Sequence, residues 1–312
     1  MAECKNPPLV VIVGPTASGK TALSIELAVR HGGEIISADS MQIYKGMDIA
    51  TAKPTLQEMR GVPHHLISVL ENSESFNVAQ YQELATSHIN GVLRRGRLPF
   101  LVGGTGLYVS SIVDNTDFGE IETDPALRHS LEERARSEGG QVLLEELQQA
   151  DPVLAAVLHP NNLGRIIRAL EVYKTTGRPL SEFQALSRLK PSPYNLCMIG
   201  LTCRDREKLY RRIDDRVDAM LQNGLLAEVE ALMNRGLSKT AFQAIGYKEL
   251  YGYFKGELPL TEAVENLKRQ TRRYAKRQLT WFRRDERIRW IYNEDNNTIS
   301  QAEEVLKLFN II

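Results

Sequence analysis

The sequence predicts an α/β fold in which a parallel β-sheet core is interrupted by a mostly helical insertion domain and followed by a helical C-terminal region. Short apolar runs that end in turn residues recur along the chain, and helical patterns lie between several of them, an alternation typical of parallel sheets. A long polar and helical stretch then breaks this alternation. The predicted strands are Leu9 to Val13, Glu34 to Ser37, Leu66 to Val69, Pro99 to Val102 and Leu196 to Leu201.

The polar stretch divides the chain into three predicted segments. Between about Glu120 and Pro193 the sequence reads as helices separated by turn pairs such as Gly139-Gly140. An apolar strand returns after Pro193, so we expect the core to resume there. We therefore predict the first part of the core at 1–118, the helical insertion at 119–195, and the second part of the core at 196–312.

The first predicted strand leads directly into a glycine-rich loop. Leu9 to Val13 has the uninterrupted β-branched character of a buried parallel strand, and Gly14-x-x-x-x-Gly19-Lys20-Thr21 follows it with the spacing of a phosphate-binding loop. The glycines let successive N–H groups point inward, Lys20 adds a positive charge, and the Thr21 hydroxyl is suited to Mg²⁺. The core is therefore predicted to be P-loop NTPase-like. Its predicted diphosphate-binding residues are Gly14, Pro15, Thr16, Ala17, Ser18, Gly19, Lys20 and Thr21.

Two further predicted strands end in turns suited to a site. Ser37-Ala38-Asp39-Ser40 follows one strand, and Gly103-Gly104-Thr105-Gly106 follows another. Ligands of open parallel sheets bind beyond the carboxyl ends of the strands, so both turns are expected beside the phosphate-binding loop. We favour a catalytic or substrate-binding role for Asp39, although Asp is also typical of a helix N-cap or a turn. Thr105 either contacts a ligand or satisfies its own loop backbone.

Two motifs of other phosphate-binding proteins are missing from the sequence. None of the predicted strands ends in four hydrophobic residues followed by Asp, the pattern with which many nucleotide hydrolases hold Mg²⁺. An Asn-Lys-x-Asp run is missing as well. The sequence therefore disfavours an ATP-driven motor and a guanine-nucleotide switch.

The C-terminal region contains a strongly basic predicted helix. Residues 268–289 carry ten Lys and Arg side chains against Asp285 and Glu286, although the whole chain has a net charge of zero. Plotted at roughly 100° per residue, a helix from Val264 to Arg284 has one apolar and one cationic face. Solvated charged faces usually mix both signs, so we expect a contact with polyphosphate or nucleic acid. The cationic face comprises Arg269, Arg272, Arg273, Lys276, Arg277, Arg283 and Arg284.

Two arginines on another predicted helix have two possible roles. Arg212 and Arg216 are four residues apart and therefore share a helix face. They either clamp a diphosphate or pair with Asp214, Asp215 and Asp218.

The chain has two tryptophans, Trp281 and Trp290. A large aromatic side chain is on average highly buried. We therefore expect both tryptophans to belong to the core rather than to serve as platforms on which a nucleobase stacks.

Length and composition indicate an ordinary soluble protein. The 312 residues include 42% hydrophobic residues, which is enough for one large core and an insertion. The sequence has neither an apolar run of about 18 residues nor a signal-like N-terminus, so we expect a cytoplasmic protein without a membrane segment. We also expect a monomer, although the sequence itself does not give the oligomeric state. Cys4, Cys197 and Cys203 have neither disulfide nor zinc spacing and are expected to be reduced.

Several segments, in order, resemble the bacterial tRNA dimethylallyltransferases. The resemblance runs from near residue 9 to about residue 290. Such a series of motifs is far more specific than the phosphate-binding loop alone. The segments are Gly14 to Thr21, Ser37 to Tyr44, Gly46 to Pro54, Gly103 to Tyr108, Arg165 to Glu171, Ala244 to Glu249 and Ala275 to Arg283.

This resemblance implies a reaction and its substrates. The family transfers a dimethylallyl group from dimethylallyl diphosphate to N6 of the adenosine next to the anticodon of tRNA, at position 37, with Mg²⁺. The resemblance implies that Asp39 is the general base, that Thr105 lines the channel near the target adenine, and that Lys20 and its loop hold the diphosphate. The implied fold is a P-loop core whose helical insertion closes on the anticodon stem-loop.

The resemblance also implies tRNA contacts in the turn after the second strand, in the insertion and in the C-terminal region, where the basic helix adds two more. The expected tRNA-binding residues are Asp39, Ser40, Met41, Gln42, Thr105, Arg128, Gly164, Arg165, Ile166, Ile167, Arg168, Gln243, Gly246, Tyr247, Lys248, Arg272 and Lys276.

The chemistry of this reaction suits the residues named. The exocyclic adenine amine is a poor nucleophile because its lone pair is delocalised, so a carboxylate such as Asp39 should accept its proton as the new bond forms. Mg²⁺, Lys20 and the loop amides can neutralise the departing diphosphate in a preorganised site. The adenine must reach this point unstacked from its neighbours.

Three alternatives stay open at the level of sequence. A P-loop kinase for a small metabolite would use the same loop for ATP and Asp39 to activate a hydroxyl, but it has no need of the basic helix. A prenyltransferase for free adenine nucleotides would leave the insertion without a role. A non-enzymatic RNA-binding module would leave the phosphate-binding loop unexplained.

Overall fold

The computed structural model describes residues 6–116, 124–188, 190–294 and 297–312. These residues contain one six-stranded sheet in which every pair of neighbours is parallel. The strand order β3-β2-β4-β1-β5-β6 places β1 between β4 and β5. The strands are β1 (Pro8–Val13), β2 (Gly33–Ser37), β3 (His64–His65), β4 (Leu98–Gly103), β5 (Asn195–Thr202) and β6 (Arg289–Tyr292).

Helices connect the strands and form the rest of the described chain. The α-helices are α1 (Lys20–His31), α2 (Leu56–Met59), α3 (Val78–Arg94), α4 (Gly106–Val113), α5 (Pro125–Ser137), α6 (Gly140–Ala150), α7 (Pro152–Ala155), α8 (Leu163–Thr176), α9 (Leu180–Arg188), α10 (Arg206–Gln222), α11 (Leu225–Arg235), α12 (Tyr247–Phe254), α13 (Leu260–Phe282) and α14 (Thr298–Leu308), and a short 3-10 helix spans Ala241–Gln243. The predicted α/β class with a parallel sheet is confirmed.

The central strand β1 is buried on both faces of the sheet. Val11 and Val13 pack into one apolar cluster, while Val10 and Ile12 pack into the cluster on the other side. All four side chains are completely buried. A strand covered on both faces has no polar face to alternate with, which explains the uninterrupted apolar run in the sequence.

The described residues form two compact units. One contains the sheet and is built from the chain up to Val113 and from Pro193 onward; the other is Asp114–Ser192. The second unit is helical and has its own core, which includes Leu131, Leu143 and Ile166. The sequence places the insertion at 119–195, and residue 119 itself lies outside the described residues.

Two of the six strands differ from the sequence prediction. The predicted strand Leu66 to Val69 is wrong: β3 is His64–His65, and Leu66 and Ser68 adopt positive φ values of 61° and 53°, which end an extended strand. β6 was not predicted, since Arg289–Tyr292 is short and follows the charged end of α13. The basic helix also begins earlier and ends earlier than predicted, at Leu260 and Phe282.

Two of the three cysteines lie within the described residues. Cys197 and Cys203 are buried and free, and burial raises the pKa of the Cys197 thiol to about 12. Cys4 lies outside the described residues. Within the described part of the chain, none of the helices has the length and apolar character needed to cross a bilayer.

Candidate active site

The loop between β1 and α1 has the backbone geometry of a phosphate seat. Ala17 and Gly19 adopt left-handed φ values of 62° and 91°, and Gly14 has a φ of 148°. A Cβ on Gly14 would lie 2.1 Å from the carbonyl oxygen of Leu201, so only glycine fits there. α1 begins at Lys20 without a side-chain cap, which leaves the N–H groups of its first turn free for an anion.

Lys20 lies inside this loop and close to two other charged groups. Its Nζ donates a hydrogen bond to the Pro15 carbonyl oxygen at 2.6 Å. Burial and the cation of Arg216 together lower the pKa of Lys20 to about 7, and the carboxylate of Asp39 opposes this shift. Lys20, Arg216 and Asp39 all line the same cavity.

Ser18 has a buried hydroxyl with no partner among the described residues. Its side chain is completely buried, and its Oγ makes no hydrogen bond there. The Ser18 carbonyl oxygen, in contrast, accepts a hydrogen bond of 2.6 Å from Asn293 Nδ2. An unpaired buried hydroxyl is unfavourable unless a ligand or water completes it. Asn293, directly after β6, therefore holds the backbone of the loop, while the Ser18 hydroxyl is available to a ligand.

Gln278 joins two loops of the site and was missed in the sequence, where it reads as part of an apolar stripe. Its Oε1 accepts a hydrogen bond from the Thr16 backbone N–H at 2.9 Å, and its Nε2 donates to the Gly104 carbonyl oxygen at 3.0 Å. The Thr16 amide is therefore engaged by Gln278, while Thr16 itself lines the cavity and its predicted role in diphosphate binding stays a prediction. Pro15 has no N–H and contributes only its carbonyl oxygen, which Lys20 uses.

Asp39 follows β2 and uses one carboxylate oxygen to order its own turn. Its Oδ1 accepts hydrogen bonds from the backbone N–H groups of Met41 at 2.9 Å and Gln42 at 3.4 Å. Its Oδ2 has no hydrogen-bond partner among the described residues. The interpretation of Asp39 as a turn residue is therefore confirmed for Oδ1. Oδ2 is left available, and the catalytic or substrate-binding role stays a prediction.

Thr105 ties the glycine-rich turn after β4 to the Asp39 turn. Its Oγ1 accepts a hydrogen bond from the Ser40 backbone N–H at 3.1 Å, and its own N–H donates to the Ala38 carbonyl oxygen at 3.1 Å. A Cβ on Gly103 would lie 2.1 Å from that same carbonyl oxygen, so glycine is required for the two turns to meet. Thr105 thus satisfies loop backbone while it lies beside Asp39.

Arg216 and Arg212 have different surroundings although they share a helix. Arg216 lines the cavity, and burial lowers its pKa. Arg212 is exposed, and its Nη1 lies 3.5 Å from Cys203 Sγ. Neither arginine forms an ion pair within the described residues, and the nearby acids Asp214 and Asp218 pair with Arg272 and Lys268 instead. Of the two, only Arg216 is placed to contact a diphosphate.

Several of these residues, although neither Thr105 nor Arg212, line one cavity of about 900 Å³ in the sheet-containing unit. Its polar wall includes the loop from Thr16 to Thr21, Asp39 and Arg216. Its apolar wall includes Ile213, Val217 and Met220 of α10. The volume suits a drug-sized ligand, and a cavity with one polar and one apolar wall suits an amphipathic ligand such as a prenyl diphosphate.

Glu228 of α11 organises a loop beside this cavity and was also missed in the sequence. Its two oxygens accept hydrogen bonds from three successive backbone N–H groups, those of Asp48, Ile49 and Ala50, at 2.7–3.0 Å. Its Oε1 also accepts a hydrogen bond from the Tyr247 hydroxyl at 3.1 Å. The glutamate lies 180 residues beyond Asp48 in the chain, and no spacing rule links such distant positions.

The basic helix α13 contributes fewer free cations than the sequence predicts. Arg272 pairs with Asp214, and Lys268 pairs with Asp218, so acids of α10 neutralise part of the face. Arg273 and Lys276 are exposed and pair with no acid among the described residues. The expectation of a free cationic face is therefore wrong for Arg272 and holds for Lys276.

The predicted tRNA-binding segment after the 3-10 helix is partly buried. Tyr247 is completely buried, and the Gly246 N–H donates to Glu249 Oε2 at 2.9 Å. The expectation that the Tyr247 side chain contacts RNA is therefore wrong, whereas Gly246 lines the cavity and its expected contact stays a prediction. Gln243 and Lys248 are exposed and line the cavity, so they are accessible to a ligand.

In the helical unit, too, some of the predicted RNA-binding residues are buried and others are exposed. Ile166 and Ile167 are buried in its core, so the expectation that their side chains contact RNA is wrong. Gly164 and Arg165 are exposed, and Arg128 is half-buried. Arg168 is half-buried, and its Nη1 donates to Oε2 of the buried Glu171 at 2.8 Å.

The described residues contain no cluster of three or more His, Cys, Asp or Glu side chains able to hold a metal ion. Ser40, Met41 and Gln42 lie with Asp39 along the cavity wall, and Thr21 lies at its edge with an exposed side chain.

The chain matches two family models. The model described as IPP transferase matches residues 42–285, and the model described as isopentenyl transferase matches residues 7–72. The first match covers well over half of the 312 residues and includes every predicted RNA-binding position from Gln42 to Lys276.

The chain is also similar to named proteins over nearly its full length. It is 51% identical to a tRNA dimethylallyltransferase of Halalkalibacterium halodurans, covering 97% of this chain and 96% of the relative. It is 49% identical to a tRNA dimethylallyltransferase of Acetivibrio thermocellus, covering 97% and 98%.

Two solved structures share its fold. A tRNA isopentenylpyrophosphate transferase from Bacillus halodurans is 50% identical, with a TM-score of 0.70 and coverage of 97% of this chain and 94% of that one. A eukaryotic dimethylallyltransferase acting on tRNA is 30% identical, with a TM-score of 0.83 and coverage of 97% and 79%.

Proposed function

The chain belongs to the IPP transferase family of tRNA dimethylallyltransferases, and from this premise we propose that it transfers a dimethylallyl group from dimethylallyl diphosphate to N6 of the adenosine next to the anticodon. The observation that carries the proposal is one cavity lined by the phosphate-binding loop, Arg216 and Asp39. The phosphate-binding loop and Arg216 suit a diphosphate, the apolar residues of α10 suit an allylic chain, and Asp39 suits the amine of a nucleobase.

The diphosphate is proposed to bind at the start of α1. The N–H groups there have no side-chain cap, and Lys20 and Arg216 supply two positive charges beside them. Charge accumulates on the bridging oxygen as the bond to the allylic carbon breaks, and preorganised cations and amides stabilise that charge. The apolar residues of α10 are proposed to contact the dimethylallyl chain.

Mg²⁺ is proposed to accompany the diphosphate. The unpaired Ser18 hydroxyl and the exposed Thr21 side chain are hard oxygen donors, and Mg²⁺ commonly binds through few protein oxygens together with substrate phosphates and water. Thr21 is the residue we propose as its ligand. When bound, the ion would neutralise charge on the leaving diphosphate.

Asp39 is proposed to be the general base. The adenine N6 forms a bond to the allylic carbon while the carbon–oxygen bond to the diphosphate breaks, and the amine then carries an excess proton. The free Oδ2 of Asp39 is the acceptor we propose for that proton, because Oδ1 is engaged by the turn. Thr105 is proposed to hold the Asp39 turn in place and to border the adenine.

The RNA is proposed to contact exposed cations of both units. In the sheet-containing unit these are Lys248, Arg273 and Lys276, and in the helical unit Arg165. Side chains of this type contact phosphates and fix the position of an RNA without reading its sequence. A kinase for a small metabolite, or a prenyltransferase for free nucleotides, has no use for these cations.

One assay tests the proposed function against its alternatives. The protein is incubated with unmodified tRNA, AMP, labelled dimethylallyl diphosphate and labelled ATP. We expect the prenyl label in tRNA, on the adenosine next to the anticodon. Prenyl label in AMP alone, or phosphate label in a small molecule, would contradict the proposal.

A further inference from the structure

Trp281 is exposed, contrary to the expectation that it belongs to the core. Its side chain lies near the C-terminal end of α13 and is 37% exposed. Trp290, in contrast, is half-buried and packs so closely on Gly200 that a Cβ there would lie 2.6 Å from its ring. The two tryptophans therefore have different roles, and only Trp290 fits the sequence interpretation.

Trp281 lies directly beside the glycine-rich turn that carries Thr105. A Cβ on Gly106 would lie 2.4 Å from Trp281 Cδ1, so the indole ring packs against the backbone at the start of α4. The next residue, Leu107, is 47% exposed. The exposed Trp281 ring therefore lies against the residue that follows Thr105, and the exposed Leu107 comes directly after it in the chain.

The same surface continues along α13 into the cavity. Tyr274, Arg277 and Trp281 lie at positions i, i+3 and i+7 of the helix and share one stripe. Tyr274 and Arg277 line the cavity, and the Arg277 guanidinium lies 5.6 Å from the centre of the Tyr274 ring. Asp39 lines the same cavity, and burial together with this carboxylate raises the pKa of Tyr274 to about 12. The stripe therefore runs from the cavity that contains Asp39 to the exposed Trp281.

We propose that Trp281 is the stacking platform for a nucleobase adjacent to the target adenosine. When the target base enters the cavity toward Asp39, its neighbours in the RNA lose a stacking partner. Aromatic side chains commonly replace such a partner, because every base has a π-face. A ring that lies beside Thr105, at the outer end of the stripe, is placed to receive the adjacent base.

The charges around Trp281 favour a nucleic acid over other apolar occupants. Arg277, four residues before Trp281 and on the same side of α13, and Arg284, just beyond the end of this helix, are exposed and pair with no acid among the described residues. Such cations suit the phosphates on either side of a stacked base. The inference rests on the proposed function, since it requires RNA to bind at the mouth of the cavity, and it adds the residue that holds the adjacent base.

The test compares two substitutions at Trp281. Trp281→Phe keeps an aromatic face, whereas Trp281→Leu keeps an apolar side chain against Gly106 but has no face for stacking. We expect the Kd for an anticodon stem-loop RNA to rise about 10-fold or more in Trp281→Leu and to change little in Trp281→Phe. The KM for dimethylallyl diphosphate is expected to stay at the wild-type value in both. Equal weakening by Phe and Leu would overturn the inference, because a packing role predicts that result.

RNA with an abasic nucleotide supplies the second arm. Each neighbour of the target adenosine is replaced in turn, and wild-type protein and Trp281→Leu are compared on every RNA. We expect the effect of Trp281→Leu to disappear for one of the two abasic RNAs, since protein and RNA then lack the same stacking interaction. Additive effects at both neighbours would overturn the inference. Wild-type protein must prenylate the intact RNA in the same experiment; if it does not, the proposed function itself fails.

Fluorescence keeps the test decisive if Trp281→Leu is poorly folded. The chain has two tryptophans, so Trp290→Phe leaves Trp281 as the only one. We expect the intact stem-loop to quench its emission and one of the abasic RNAs to quench it clearly less. Equal quenching by all three RNAs would overturn the inference.

Discussion

Oδ1 of Asp39 accepts hydrogen bonds from its own turn, whereas Oδ2 is the proposed proton acceptor. A substitution that tests the proposed base must therefore keep an oxygen for the turn. Alanine would remove the proton acceptor and also the acceptor for the Met41 and Gln42 amides. Asparagine keeps an oxygen for those amides and removes the base. We expect Asp39→Asn to lower kcat by about 10²- to 10⁴-fold, the usual contribution of a general base, with tRNA affinity within a few fold of wild type.

Single-turnover kinetics and a binding measurement distinguish this role from positioning. Loss of kcat with unchanged RNA affinity identifies an interaction made in the transition state. Equal losses of rate and RNA affinity in Asp39→Asn would instead make Asp39 a residue that positions substrate.

The lowered pKa of Lys20 predicts a pH dependence for diphosphate binding. Since its pKa is about 7 in the ligand-free protein, Lys20 is cationic below pH 7 and becomes neutral above it. The cationic form binds the anion more strongly, so we expect kcat/KM for dimethylallyl diphosphate to fall as pH rises through about 7. The measurement is kcat/KM against pH at saturating tRNA.

Lys20→Arg is the matched control, because guanidinium stays charged throughout this range. The diphosphate itself titrates nearby, and dividing the wild-type profile by that of Lys20→Arg removes its contribution. A ratio that does not change with pH would contradict the titration of Lys20.

At the level of residues, the sequence predicts those site members that lie in continuous motifs. Lys20 and Asp39 each follow a strand in a short motif, and their chemistry can be read from neighbouring residues. Gln278 cannot be found in this way, because its partners Thr16 and Gly104 lie 262 and 174 residues away. The expectation for Trp281 is wrong because helix periodicity does not reveal its contact with Gly106, which lies far away in the chain. The ring packs against this glycine and stays partly exposed.

At the scale of elements, α13 carries some basic side chains that form ion pairs with acids and others that do not. Arg272 pairs with Asp214, whereas Arg273 and Lys276 are exposed without an acidic partner in the described residues. We expect the double substitution Arg273→Ala/Lys276→Ala to reduce the slope of log Kd for tRNA against log salt, by about 0.7–0.9 for each phosphate that the protein no longer neutralises. Titrations at several salt concentrations measure this slope.

Arg272→Ala serves as the comparison for that experiment. Its charge is already balanced by Asp214, so its removal should change the slope less than the double substitution does. If Arg272→Ala flattened the salt dependence as much as the double substitution, the assignment of free and neutralised cations on α13 would be wrong.

Glu228 fixes the loop at Asp48–Ala50 to α11 and α12. In Glu228→Gln one acceptor oxygen becomes an NH₂ group, which faces backbone N–H groups and leaves at least one of them unsatisfied. We expect a loss of about 2 kcal/mol in the free energy of unfolding, as for other unpaired donors. Denaturant unfolding measures it, and Glu230→Gln, exposed on the same helix, should be nearly neutral. Equal stability of the two variants would contradict the role of Glu228.

Sequence patterns predicted long elements better than short ones. The central strands and the long helices have enough apolar positions to show their period. β3 has two residues and β6 has four, so neither shows a period; each is defined by pairing, with β2 and β5 respectively. The neutralisation of α13 by α10 likewise depends on packing between helices.

For the molecule as a whole, the cavity belongs entirely to the sheet-containing unit. A ligand that fills it should stabilise that unit through its binding free energy. We expect magnesium pyrophosphate to slow amide hydrogen exchange in β1, α1 and the turns that carry Asp39 and Thr105, with little change in α5, α6 and α8. Exchange measured by mass spectrometry with and without this ligand makes the comparison. Equal protection in both units would place the diphosphate elsewhere.

The position of β5 in the chain has a consequence for biosynthesis. β1 hydrogen-bonds to β4 on one side and to β5 on the other, and β5 is translated only after the whole helical unit. Until the ribosome has released residue 202, one edge of the nascent sheet lacks its neighbour and can pair with other chains. A newly made chain that stalls within the helical unit would therefore be prone to aggregate and would depend on chaperones.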